Sequence, residues 1–292
     1  MSIPESQLRR WSDHGPQTAA KRTHEAIHAV LDAHKWPPEM KYEFYLQGSY
    51  RNDTNIRGDS DVDIVLETTS IFKRDDAALS PWDRQMLAGR LSPGEHDWDE
   101  FRREALKALT AAFGQHIVGQ GNKSIKLKGE GQRLPADVVV CMGYRRYTSQ
   151  YQYVQGIKFY ALQHKRWIVN YPKLHYENGA AKSRRTGDRF KRTVRMFKNA
   201  RNHLITEGKI SKDLAPSYFI ECLVYSAPNP AFKLGFQDTY SDIVTWMVQN
   251  DLSGLMCQNG QIPLFGSSPE QWSLSDANAL ASALVTLWND WG

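Results

Sequence analysis

The sequence predicts an α+β fold, with a mixed-sheet lobe over residues 1–172 that includes a leading helix and a helical lobe over residues 173–292. Three observations point there. Short runs rich in β-branched and aromatic residues crowd the first part of the chain, whereas apolar residues at helical spacing dominate after Pro172. A chain of 292 residues with 41% apolar content and scattered charge is also long enough to bury a large core in one compact two-lobed globule.

In chain order, Gln17 to His34 carries Ala20, Ile27, Val30 and Leu31 on one stripe and stops before Pro37-Pro38, which predicts an amphipathic helix. Lys41–Leu46 and Ser60–Glu67 read as strands. Ile71 to Trp98 is irregular and polar, so a surface insertion with one short helix is expected. Asp97, with Glu100 three residues on, caps a helix whose Phe101, Ala105, Leu109 and Phe113 pack on the sheet. Lys123–Lys128 alternates, Ala136–Met142 is apolar enough to be a central strand, and Gly156–Leu162 with Trp167–Val169 completes the β region before Pro172. Helices follow over Asp188–Ile205, Ala215–Ser226, Thr239–Asn250 and Ser275–Trp291. In the first of these, Lys191, Arg195, Lys198 and Asn202 form a stripe beside the apolar one, either a phosphate-binding face or a solvated basic face.

The 37 basic against 32 acidic residues leave a formal charge of +5, compatible with a polyanionic substrate such as nucleotide or RNA. Cys141, Cys222 and Cys257 are far apart without metal-ligand spacing, which argues against structural zinc and for a reducing compartment, the cytoplasm. No apolar run approaches the roughly 18 residues of a membrane span, and MSIPESQLRRWSDHG lacks a signal-peptide core, so a soluble protein with no membrane partner is expected.

The chemistry concentrates in LQGSYRNDTNIRGDSDVDIVLE, from Leu46 to Glu67. Strand alternation places the Asp61 and Asp63 carboxylates on one face while Val62 and Ile64 face the core. Two carboxylates on one face demand a counter-ion, and Mg²⁺ takes one or two of them while keeping water and phosphate oxygens as its other ligands. Gly48 lets the backbone approach a phosphate, and Ser49 adds an N–H and a hydroxyl. Alone, Gly-Ser is an ordinary turn and Asp-x-Asp an exposed strand edge; the combination, in strand–turn–strand context, is what points to a site.

With these motifs the chain resembles the DNA polymerase beta-type nucleotidyltransferases, whose signature adds a third Asp on a later strand. Asp137, heading the apolar run Pro135–Cys141, matches it. The resemblance implies two Mg²⁺ (or Mn²⁺) ions bridging Asp61, Asp63 and Asp137 to the triphosphate, with Asp137 assisting the attacking hydroxyl and Gly48 and Ser49 positioning phosphates.

The run NYPKLHYENGAAKSRRTGDRFKRTVRMFKNAR, followed by LAPSYFIECLVY, narrows the resemblance to the bacterial CD-NTases, cyclic-oligonucleotide synthases related to the animal cyclic GMP–AMP synthase, and within them to the CdnE clade. It spans nearly the whole chain. It implies an active site between the lobes, with Lys198 and Ser217 holding donor phosphates and Tyr218 stacking on a base; from residue type alone Tyr218 would more often be core. Asn170, just before Tyr171-Pro172, matches an Asn linked to pyrimidine use, because an amide can pair with a uracil edge; Asn178 is the other candidate, and a turn-capping role for Asn170 is as compatible with the sequence.

The implied function is synthesis of a cyclic dinucleotide second messenger from NTPs, UTP and ATP first among them, with release of pyrophosphate. The product would be cyclic UMP–AMP or cyclic di-UMP, in antiphage (CBASS) signalling with neighbouring regulators and a cyclic-nucleotide-activated effector. A purine cyclic di- or trinucleotide synthase, an RNA-end or protein-modifying nucleotidyltransferase, and a degenerate nucleotide sensor are the alternatives. The chain lacks the Cys/His insertion through which the animal enzyme engages DNA, so no duplex DNA activator is expected. A chain ending in Gly292 permits conjugation by the ubiquitin-transfer-like machinery of some family members, although a terminal Gly is also commonly accidental.

Overall fold

The computed structural model describes residues 2–58 and 61–292. The elements are α1 (Glu5–Trp11), α2 (Thr18–Ala33), β1 (Tyr42–Leu46), α3 (Gly48–Asn52), β2 (Val62–Asp75), α4 (Pro81–Ala88), α5 (Trp98–Phe113), β3 (Val118–Gln120), β4 (Ile125–Leu127), β5 (Ala136–Tyr147), β6 (Tyr153–Ala161) and β7 (Arg166–Asn170). Then come α6 (Pro172–Arg185), α7 (Arg189–Thr206), α8 (Ser217–Ser226), α9 (Phe236–Gln249) and α10 (Leu274–Asn289). They fall into two compact units, one of residues 17–50 and 61–172, the other of residues 2–16, 51–58 and 173–292. A cut at residue 172 thus misses two segments that pack with the helices. The reason is burial: Ile3 and Leu8 are fully enclosed by the helical core, and the Arg195 guanidinium holds the Ser12 and Asp53 carbonyls.

In the sheet unit, seven strands form one mixed sheet in the order β1-β2-β5-β4-β3, with β6 pairing the second half of β5 and β7 pairing β6. Only the β2–β5 pair is parallel among the described strands. One face presents Val62, Ile64, Leu66, Ala136, Val138 and Val140 to Ile27 and Leu31 of α2 and to Phe101, Ala105 and Leu109 of α5. Each of the buried Val, Ile, Leu and Phe side chains here contributes roughly 1.5–3 kcal/mol. The predicted cap of α5 is present, with Asp97 Oδ1 accepting from the Glu100 N–H at 2.7 Å. The opposite face carries a smaller cluster of Val65, Val139, Cys141, Ile157, Phe159 and Ile168.

Two expectations are corrected. The Gly-Ser segment is the start of the short helix α3 rather than a simple turn. The strand expected to end at Glu67 continues to Asp75 past an irregularity between Thr68 and Phe72, so the insertion begins after residue 75 and holds the expected short helix, α4. Its other expected end, Ser60, lies outside the described residues. Polar FKRD remains strand because β5 also runs on to Tyr147 and pairs with it; Arg145 sits 3.8 Å over the Phe72 ring, and the Tyr144 hydroxyl donates to Asp75. The stretch directly after the sheet is helical as α6, in line with the helical lobe expected there, with Pro172 at its first position, where a missing N–H costs nothing.

The helical unit is built on α7, whose Phe190, Val194, Phe197 and Leu204 join Ile220 and Leu223 of α8 and Tyr240 and Ile243 of α9 in one core. Phe197 stacks on Tyr240 at 5.1 Å. Among the described residues no helix is long and apolar enough to cross a membrane.

Candidate active site

The parallel register of β2 and β5 sets Asp63 directly beside Asp137, and the antiparallel register of β4 sets Lys126 beside Asp137 on its other side. Alternation puts these three on the face away from α2 and α5, and Asp61 stands exposed one residue ahead of β2. Lys126 Nζ lies 4.0 Å from Asp137 Oδ2. Burial pushes the Asp137 carboxyl above its ordinary range and the Asp61 charge pushes it further, while Lys126 and a Ser124 hydrogen bond pull it back without prevailing. A carboxyl pushed up by burial and by a neighbouring acid is what a bound cation would relieve.

Gly48 has φ +66°, the left-handed region, and a Cβ at this position would collide with the Asp63 carboxylate. Only glycine lets α3 begin so close to that acid. The Gln47 N–H donates to the Asp63 carbonyl at 2.9 Å, fixing the start of α3 against β2, and Ser49 is half-buried in α3. Among the described residues no three His, Cys, Asp or Glu side chains stand as a preformed metal cluster. The donor set nevertheless fits a hard divalent ion: oxygens only, two on adjacent strands, a glycine clearing the approach, and an Asp137 whose charge is under-compensated.

Residues two apart on β5 share a face, so Asp137, Val139, Cys141 and Gly143 point together; Gly143 pairs with Ile157 and Ile157 with Asn170. Asn170 therefore belongs to the carboxylate-bearing face of the same sheet. Its Oδ1 accepts the Tyr171 N–H at 2.8 Å, a local cap that leaves the amide NH₂ for other partners. The other candidate, Asn178, lies in the helical unit and donates to the Gln258 carbonyl at 2.8 Å.

In the helical unit, Ser217 opens α8 and accepts from Arg201 Nη2 at 3.0 Å. Tyr218 keeps 36% of its surface exposed, with its ring stacked on His175 at 5.2 Å. Lys198 is buried and donates to the Thr54 carbonyl at 2.9 Å, and Arg195 is likewise turned inward. The basic stripe is thus neither uniformly solvated nor uniformly free for anions. Lys191 and Arg195 both line a cavity of about 540 Å³ with Ser183, Arg184 and Asp188, whereas Lys198 does not.

Sequence reasoning missed Lys126, Ser124, His175 and Glu221. The alternation of Lys123–Lys128 predicted a strand, but which residue it would set against Asp137 depends on register. His175 and Glu221 carry no motif, and their roles come from contacts 46 positions apart.

Residues 177–289 match the cGAS/DncV-like nucleotidyltransferase C-terminal helical domain. The chain is 48% identical over 296 residues to the cyclic UMP-AMP synthase of Rhodothermus marinus (strain SG0.5JP17-172), covering 100% of both chains. It is 38% identical over 302 residues to the cyclic nucleotide synthase CdnE01 of Staphylococcus haemolyticus, again covering 100% of both. The solved structure of Rhodothermus marinus CdnE c-UMP-AMP synthase with Apcpp and Upnpp superposes with a TM-score of 0.92 at 47% identity, covering 99% of this chain and 98% of that one. With this full-length likeness, and with the carboxylate-bearing mixed sheet and the matched helical domain already in place, the chain belongs to the CdnE-type CD-NTases, the nucleotidyltransferases that synthesise cyclic nucleotides.

Proposed function

We propose that this enzyme makes a uridine-containing cyclic dinucleotide, cyclic UMP–AMP from UTP and ATP, with cyclic di-UMP as the alternative product. The observation that carries the reading is the 48% full-length identity to a cyclic UMP-AMP synthase. Asn170 supports it, because its face of the sheet is that of Asp63 and Asp137 and its amide can meet a uracil edge.

In each of two steps a ribose hydroxyl attacks an α-phosphorus, a P–O bond forms, the bond to the β-phosphate oxygen breaks, and pyrophosphate leaves. The first step gives a linear intermediate and the second closes the ring. Asp61, Asp63 and Asp137 would hold two Mg²⁺ or Mn²⁺ ions, which neutralise phosphate charge and acidify the attacking hydroxyl. Asp137, set directly beside Asp63 by the β2–β5 register, would assist the attacking hydroxyl. Gly48 and Ser49 position the triphosphate, Ser217 serves the donor phosphates and Tyr218 stacks on a base, whereas Lys198, buried against the Thr54 carbonyl, supports this site from within rather than by direct phosphate contact.

The setting we infer is cytoplasmic antiphage signalling, with genetically neighbouring regulators, an effector activated by the product, and no duplex DNA requirement. Incubating the protein with all four NTPs and Mg²⁺ or Mn²⁺, followed by mass analysis, tests the reading. A cyclic product containing UMP is expected. Purine-only rings would overturn the base assignment, and exclusively linear or protein-linked products would overturn cyclisation.

A further inference from the structure

The helical unit buries an acid, Glu221, in the middle of α8. A buried carboxylate survives only where donors converge on it. Here Oε1 accepts from His175 Nε2 at 3.0 Å, from Asn52 Nδ2 at 3.0 Å and from Gln258 Nε2 at 3.4 Å, while Oε2 accepts from the Thr54 hydroxyl at 2.9 Å. Burial pushes this acid up, yet the His175 hydrogen bond and charge, the Lys198 charge and the Thr54 hydrogen bond together hold it below its ordinary range. It is an acceptor, so the network assigns the proton to His175 Nε2.

Each donor leads onward. The His175 ring, gripped through Nε2, lies beneath Tyr218 with the two planes 24° apart, so it backs one part of a ring that solvent still reaches elsewhere. His175 Nδ1 is buried without a hydrogen-bond partner among the described residues, which leaves Glu221 as the side-chain tether of that ring. On the other side Thr54, whose hydroxyl is bound to Glu221, gives its carbonyl to Lys198 Nζ at 2.9 Å.

We propose that Glu221 is a positioning residue for the nucleotide: one carboxylate grips His175 and Thr54 together, and so sets the tilt of the Tyr218 ring and the placement of Lys198 as a unit. This rests on the reading that Tyr218 stacks on a base. Ser217, Tyr218 and Glu221 lie within one turn of α8, so the acid braces its own helix at the residues that would meet the ligand.

The test uses the full chain in two assays: steady-state synthesis from UTP and ATP with Mg²⁺, and fluorescence titration with 2-aminopurine riboside triphosphate, whose quenching reports stacking. The variants are Tyr218→Ala, His175→Ala, His175→Phe and Glu221→Gln, each melted without nucleotide to verify folding. Tyr218→Ala, Glu221→Gln and His175→Ala should each weaken probe binding about tenfold, with reduced quenching and a raised KM. His175→Phe keeps a ring under Tyr218 but loses the tether, and should fall between parent and His175→Ala. If Tyr218→Ala binds the probe as the parent does, the base-stacking reading itself fails. If Tyr218→Ala weakens binding while folded His175→Ala keeps the parental KM and quenching, the stacking reading stands and the role of Glu221 is refuted. Should Glu221→Gln not fold, the two His175 variants decide the matter by the same criteria.

Discussion

Asp137 in the sheet unit is a half-buried acid and Glu221 in the helical unit a buried one, and their proton affinities move in opposite directions. Glu221 is the more deeply buried, with 7% of its side chain exposed against 29% for Asp137, yet it is the one held below the ordinary range. Depth of burial does not decide the outcome. Glu221 is met by His175, Asn52, Thr54 and Gln258, whereas Asp137 has Ser124 and a lysine 4.0 Å away, and must also bear the Asp61 charge. The difference separates two uses of one functional group. An acid whose charge the protein itself satisfies is scaffolding, and an under-compensated one is open to an incoming cation, the role proposed above for Asp137.

The largest expected effect comes from removing the carboxylates proposed to hold the metal. Asp61→Asn with Asp63→Asn should lower cyclic-product formation by about three orders of magnitude or more, measured by product mass, while the melting temperature stays near the parental value because no core packing is lost. A folded double variant with parental turnover would refute the metal role. Asp137→Asn should be similarly inactive, with NTP binding less affected than turnover.

Stability should show the reverse order. Glu221→Ala strands several buried donors and should cost about 3–5 kcal/mol in denaturant unfolding, whereas metal-free Asp137→Asn should be neutral or stabilising. Equal costs at the two positions would erase the comparison.

pH sharpens it further. Glu221 has its folded pKa lowered, so its contribution is present above the ordinary glutamate range and is lost as pH falls below it. Asp137 has its folded pKa raised, so the metal-free protein bears a cost that grows as pH rises from the ordinary aspartate range through the raised one. The thermal shift induced by Mg²⁺ should therefore increase with pH across that window, and a shift independent of pH there would contradict the assignment.

The smallest expected effect lies at base choice. Asn170→Ser should move the UMP-to-purine product ratio toward purines by roughly tenfold or less, the scale of one neutral hydrogen bond of about 0.5–1.5 kcal/mol, read from competition among the four NTPs. An unchanged ratio would assign Asn170 to the Tyr171 cap alone.

By itself the amino-acid sequence determined the α+β class, the acids Asp61, Asp63 and Asp137, the glycine at position 48, the Asp97 cap and most helix positions. These are local: alternation, capping and breaker residues act over a few positions, and an acid heading an apolar strand is conspicuous wherever it occurs. The continuation of β2 through polar FKRD was not legible, because the partner that holds it is the tail of β5 some 70 positions later. Nor was the inward turn of Arg195 and Lys198, which reads on a helical wheel as a basic face but is decided by the Ser12, Asp53 and Thr54 carbonyls. Only the tertiary structure set Lys126 beside Asp137, brought Asn170 onto the carboxylate face and gathered four donors around Glu221. Each of those depends on strand register or on contacts between distant segments, where a hydrogen bond is chosen by what else is buried nearby and not by the residue's neighbours in the chain.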